Sequence, residues 1–143
     1  MSLWFKPWTL ADLGYARAGM PNHIGIEFTE IGEDFLRGRM PVDDRTRQPF
    51  GILHGGASVA LAETLGSTAA ALTIDSTKHR CVGQEINANH VRAISSGYVI
   101  GTARPLHVGM RSHVWEIRIN DERERLVCVS RITMYILDIE PAK

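Results

Sequence analysis

From Ala57 to Ile74 the chain runs Ala-Ser-Val-Ala-Leu-Ala-Glu-Thr-Leu-Gly-Ser-Thr-Ala-Ala-Ala-Leu-Thr-Ile, with Glu63 its only charged side chain. The run holds no proline, is rich in alanine and leucine, and is long enough for about five helical turns. A helix this uniformly apolar needs cover on more than one side. A sheet wrapping it, with a second subunit closing the other side, supplies that cover, so dimerisation is expected. On the helix Glu63 shares its face with Val59, Ala60, Gly66, Ser67 and Ala70, none of which pairs with a charge. A carboxylate in that setting loses hydration unless something offsets the loss. The plainer alternative is a glutamate at the rim of the helix, reaching water past small neighbours.

At 143 residues the chain is expected to form one domain, residues 1–143, with a single core. Sixteen Lys and Arg balance sixteen Asp and Glu, so no global field favours nucleic acid or an anionic membrane. The first residues, Met-Ser-Leu-Trp-Phe-Lys-Pro-Trp, lack an apolar stretch of signal-peptide length, and the 57–74 run carries too much Ser, Thr and Gly for a membrane span. Cys81 and Cys128 lie in strand-like segments and form no disulfide framework; reduced thiols in a cytoplasmic protein are expected. The six histidines lack the spacing of a zinc site, so no metal is expected. No Gly-x-Ser-x-Gly elbow marks a serine hydrolase.

No repeat or linker divides the chain. Thr9 or Asp12 caps a short helix with Leu10, Leu13 and Ala16 on its apolar side, ending near Gly19 and Pro21. Strands are predicted at 25–31 and 34–42, the second alternating Leu36, Met40 and Val42 against Arg37 and Arg39. After a polar loop and the long helix come strands at 81–91, 97–106, 112–120 and 125–137. In the third of these Trp115, Ile117 and Ile119 alternate with Glu116 and Arg118, and residues 121–124 form a hairpin tip. The order helix, two strands, long helix, four strands is an α+β pattern, an antiparallel sheet with helices on one face.

His54-Gly55-Gly56 immediately precedes the 57–74 run. The first N–H groups of a helix lack internal partners and carry roughly half a positive charge, and glycine lets a ligand come close. A carbonyl oxygen that gains charge during acyl transfer is stabilised there, by ~3–4 kcal/mol per donor in favourable cases. A plain glycine-rich turn is the competing account. Gly55 and Glu63 are about two turns apart, ~12 Å along the axis, too far to act on one thioester from one helix. Antiparallel helices of two subunits passing at a two-fold axis bring Gly55 of one opposite Glu63 of the other.

The run Gln48-Pro49-Phe50-Gly51-Ile52-Leu53-His54-Gly55-Gly56-Ala57-Ser58, then Leu61-Ala62-Glu63, then Glu85-Ile86-Asn87-Ala88-Asn89-His90-Val91-Arg92, resembles the hotdog-fold acyl-CoA thioesterases. The closest branch acts on aromatic acyl thioesters and includes 1,4-dihydroxy-2-naphthoyl-CoA hydrolase and the enterobactin-pathway proofreading thioesterase. The resemblance covers nearly the whole chain. It implies an antiparallel sheet wrapped around the long helix, dimers with shared active sites, and usually tetramers. It also implies hydrolysis of an acyl-CoA thioester, aryl or hydroxybenzoyl-type, with no cofactor. In such enzymes the glutamate aligned with Glu63 is nucleophile or general base. The Gly55 N–H, helped by the Gln48 amide, polarises the carbonyl. Ser67 holds the attacking water or the carboxylate, and His54 supports the loop or the leaving group. Coenzyme A contacts are implied at Gly83, at His90, Val91, Arg92 and Ala93, and at His107, Val108, Gly109, Met110, Arg111 and Ser112.

A thioester carbonyl is already activated, so an oxyanion donor and a base suffice. The carboxylate either activates water or attacks to give an anhydride. An acyl pocket is expected near Phe50, Val59 and Gly66. Acyl carrier protein remains an alternative to free coenzyme A. A hotdog dehydratase and a non-catalytic acyl-CoA-binding protein are the rival readings; the second normally carries a DNA-binding segment, which the first twenty residues do not resemble.

Overall fold

A computed structural model describes residues 2–141. A 3-10 helix at Leu10–Arg17 and a four-residue helix α1 (Met20–His23) precede strands β1 (Glu27–Ile31) and β2 (Leu36–Pro41). Helix α2 (Gly55–Leu72) follows, and then β3 (His79–His90), β4 (Tyr98–Val108), β5 (Ser112–Asp121) and β6 (Leu126–Asp138). The six strands form one antiparallel sheet in the order β1-β2-β4-β5-β6-β3. β2 through β6 all pack on α2, so the sheet wraps the helix as expected.

Alternation builds that wrap. On β5 His113, Trp115, Ile117 and Ile119 are buried while Glu116 and Arg118 lie on the other face. Leu36 and Met40 of β2, and Val42 just beyond it, are buried as predicted. Leu61, Leu65 and Leu72 of α2 are fully buried against this apolar face, each worth about 1.5–3 kcal/mol of burial. The helix comes so close to the sheet at Gly66 that a Cβ there would lie 2.6 Å from Ile132 Cγ2.

The N-terminal region departs from the predicted single helix. The 3-10 helix stops at Arg17, Gly19 turns the chain at φ 79°, and Pro21 sits in the first turn of α1 instead of ending a helix. Proline tolerates the first turn, where its missing N–H is not needed. Leu13 is fully buried, whereas Leu10, expected on the same apolar side, is exposed.

Candidate active site

The first turn of α2 uses its amides unevenly. His54 is the N-cap, its Nδ1 accepting from Gly56 N–H at 2.8 Å. Ala57 and Ser58 donate to the His54 carbonyl. Among the described residues no acceptor is found for Gly55 N–H. Gly55 opens into a cavity of about 420 Å³ shared with Gln48, His90, Val91, Arg92 and Ala93. The Gln48 side-chain Oε1 accepts from Phe50 N–H, which leaves its NH₂ as the end available to donate. His90 lies over Gly55: a Cβ there would sit 2.8 Å from the ring Nε2. Two uncommitted donors, an imidazole and an arginine thus converge on one recess.

Glu63 lies elsewhere. The open face of α2 is Gly56, Val59, Ala60, Glu63, Thr64, Ser67 and Ala71; Gly66 and Ala70, expected beside Glu63, are buried against the sheet. At about 100° per residue, position 63 falls on the boundary between these two faces, which half-buries it. Burial is the cause that holds its carboxyl above the usual glutamate range. Gly83 on β3 makes the room, since a Cβ there would come within 2.8 Å of Glu63 Oε1. The Ser67 hydroxyl donates to the Glu63 backbone carbonyl at 2.6 Å, so its proton is spent on the helix and only its lone pairs are left for a water. Two recesses meet at Glu63. One, of about 330 Å³, is walled by Met20, Pro21, Ile24, Ile26, Val59 and Ala60. The other holds Tyr15, Ser67 and Cys81.

The inward face of β3 organises this layout. Cys81, Gly83, Ile86, Ala88 and His90 pair with the inward residues Ile136, Met134, Ile132, Ser130 and Cys128 of β6. A bulge between Gly83 and Glu85 keeps both halves of the strand in phase. Cys81 therefore meets the Ser67 carbonyl, its Sγ 3.7 Å away, Gly83 meets Glu63, and His90 meets Gly55. Cys81 is only partly buried, unlike Cys128.

The third predicted group stands apart. Val108, Gly109, Met110 and Arg111 border a cavity of about 400 Å³ near the far end of α2, with Phe5 and Lys78. Arg111 is paired with Asp138 at 2.9 Å, while Ser112 closes the turn through its carbonyl to Gly109 N–H. His107 packs over Gly109. Within one protomer the predicted residues thus fall into three places. Of the residues expected at an acyl pocket, Phe50 is 90% exposed at the tip of its turn, Gly66 is buried against the sheet, and Val59 lines the recess walled by Met20, Pro21, Ile24 and Ile26. No periodicity pointed to those residues, because their burial depends on a packing partner some forty positions away.

Residues 50–128 match the family model described as Thioesterase superfamily. The chain belongs to the thioesterase superfamily. Proofreading thioesterase EntH of Cronobacter sakazakii is 51% identical over 137 residues, 94% of this chain and 98% of that protein. The 1,4-dihydroxy-2-naphthoyl-CoA hydrolase of Escherichia coli is 50% identical over 136 residues, 94% and 99% of the two chains. Among solved structures, a glutamine-to-alanine mutant of thioesterase PA1618 from Pseudomonas aeruginosa superposes with a TM-score of 0.94 at 42% identity, over 96% of this chain and all of that one. The fold is the hotdog fold, and this thioesterase is a thioester hydrolase. No helix among the described residues is long and apolar enough to cross a membrane.

Proposed function

We propose that this thioesterase hydrolyses the thioester of an aryl acyl-CoA in a site shared between two copies of the chain. The uncommitted Gly55 N–H beside Gln48, on the same helix as a half-buried Glu63 yet about two turns away, carries this reading. An oxyanion donor and a base are both present, but one protomer keeps them apart. A partner copy related by a two-fold axis supplies the missing half. β3 favours such a partner: it is a twelve-residue edge strand with no proline, and such edges pair with another strand unless guarded.

In the shared site the thioester oxygen accepts from Gly55 N–H and the Gln48 NH₂ of one copy. Glu63 of the other copy takes a proton from water as the hydroxide attacks, or attacks the carbonyl itself to form an anhydride that water opens. The C–S bond breaks, coenzyme A leaves as the thiol and the acid is released. The pantetheine and phosphates run past His90–Ala93 and the 107–112 turn. The name of the 1,4-dihydroxy-2-naphthoyl-CoA hydrolase relative favours an aryl group. The tetramer expected from the resemblance, and free coenzyme A in preference to an acyl carrier protein, are part of the same proposal.

Thiol release from a panel of aryl-CoA esters tests it. Glu63→Gln is expected to lose roughly 10²-fold or more, in keeping with loss of a general base or nucleophile. Turnover unchanged in that variant refutes the assignment. Mixing Glu63→Gln with Gln48→Ala and allowing subunits to exchange is expected to restore about a quarter of wild-type activity, since half of the mixed dimers' sites are intact. No recovery places both groups in one chain.

A further inference from the structure

The recess beside Glu63 has one wall from α2 and one from the segment that leads from the 3-10 helix into β1. That segment is a closed strap. It begins at Gly19 and ends at Gly25, both at positive φ near 79° and 78°, a region open to glycine at little cost. Ile26 N–H donates to the Pro21 carbonyl at 2.9 Å. From the side, Arg17 clips it, Nε donating to the Ile26 carbonyl at 2.7 Å and Nη2 to Asn22 Oδ1 at 3.3 Å. Gly25 is pinned, because a Cβ there would meet Pro41 at 2.8 Å. Ile26 is fully buried in the core, so the wall is fixed in place before any ligand arrives.

What the strap presents is apolar: Met20, Pro21, Ile24 and Ile26 face Val59 and Ala60. The one polar side chain besides Glu63 is Thr64, whose hydroxyl is donated to the Ala60 carbonyl at 2.7 Å. A group lodged there finds no side-chain donor. A cavity of roughly 150 Å³ holds benzene, so a recess of about 330 Å³ takes one or two rings, or an aliphatic chain of similar bulk.

We propose that the Gly19–Gly25 strap selects the acyl group, with Met20 and Ile24 gripping an apolar acyl body whose carbonyl lies at Glu63. This rests on the thioesterase reading above and adds to it the residues that set the substrate. Filling the recess discriminates by size, at roughly tenfold or more per methylene-scale misfit. Arg17, which touches the strap but does not line the recess, acts as a positioning residue.

The experiment compares benzoyl-CoA with acetyl-CoA, which has no body to lodge. Ile24→Trp is expected to lower kcat/KM for benzoyl-CoA at least tenfold and that for acetyl-CoA less than threefold. Met20→Ala, at an exposed position, is expected to raise 2-naphthoyl-CoA relative to benzoyl-CoA severalfold. Arg17→Ala is expected to raise KM for benzoyl-CoA with kcat nearly unchanged, and Arg17→Lys to restore most of it. Equal losses on benzoyl- and acetyl-CoA overturn the proposal. Binding of the same two esters to Glu63→Gln, with and without Ile24→Trp, is measured by calorimetry. It reads the strap without turnover, so selective binding by Glu63→Gln together with a wild type that hydrolyses neither ester refutes only the hydrolytic reading. Equal binding of both esters refutes the strap.

Discussion

The two edges of the sheet are built in opposite ways. β1 is five residues long, bulged between Phe28 and Glu30, and carries Glu27 and Glu30 in ion pairs with Arg39 and Arg37. Short length, a bulge and charge are the usual means of keeping an edge from pairing. β3 runs for twelve residues, largely exposed, with Val82 44% and the following Val91 57% accessible. Its inward face holds the residues that touch Glu63, Ser67 and Gly55. The guarded edge closes the fold; the unguarded one lies against Glu63, Ser67 and Gly55, and the shared site proposed above needs such an edge.

The sharpest way to break this contrast is charge. Lysines at Val82 and Asn87 together are expected to dissociate the oligomer in gel filtration and cut thiol release about 10²-fold, whereas Thr29→Lys on β1 leaves both within a factor of two. Dissociation without loss of turnover would show that one chain suffices.

Two glycines give a finer test. Gly83→Ala brings a Cβ against the free end of the Glu63 side chain, which swings aside at little cost; kcat is expected to fall about tenfold with the melting temperature unchanged. Gly38→Ala on β2 meets the Glu27 backbone carbonyl at 2.8 Å and Leu65 at 2.9 Å. That overpacking costs about 1–3 kcal/mol, so calorimetry should show a Tm several degrees lower while kcat stays within twofold.

The smallest effect concerns Glu63 itself. Its folded pKa lies above the ordinary 4.5, so protonation is favoured by folding. That contribution is whole below the ordinary value and disappears as pH rises through the raised one. Glu63→Gln should therefore melt higher at pH 7 in calorimetry, with the gain gone at pH 4. If Glu63 acts as proposed, the acid limb of kcat/KM in the wild type is expected above 4.5, read from a pH–rate profile.

Much of this was legible in the amino-acid order. The α2 run, the inward sets on β2 and β5, and every strand within two or three residues followed from period and punctuation. Local pattern does not encode which strands meet, so nothing marked β3 as the strand that crosses to the far edge beyond β6. The same blindness hid the strap, whose walls come from residues 20–26 and 56–64. Shared helical spacing put Gly66 and Ala70 beside Glu63, yet the sheet covers one flank of that stripe and leaves the other open. Ser67 illustrates a different limit: its hydroxyl finds the carbonyl four residues back, a bond that a helical serine often makes.

All three tryptophans lie away from the strap. Trp4 stacks on Trp115 with ring centroids 6.3 Å apart and donates to the Gly32 carbonyl, while Trp8 donates to the Leu72 carbonyl at the last turn of α2. Intrinsic fluorescence and near-ultraviolet dichroism of this protein are therefore expected to report how the segment holding Trp4 and Trp8 is seated. Those signals are expected to respond more to movement of residues 4–8 than to an acyl chain entering the recess.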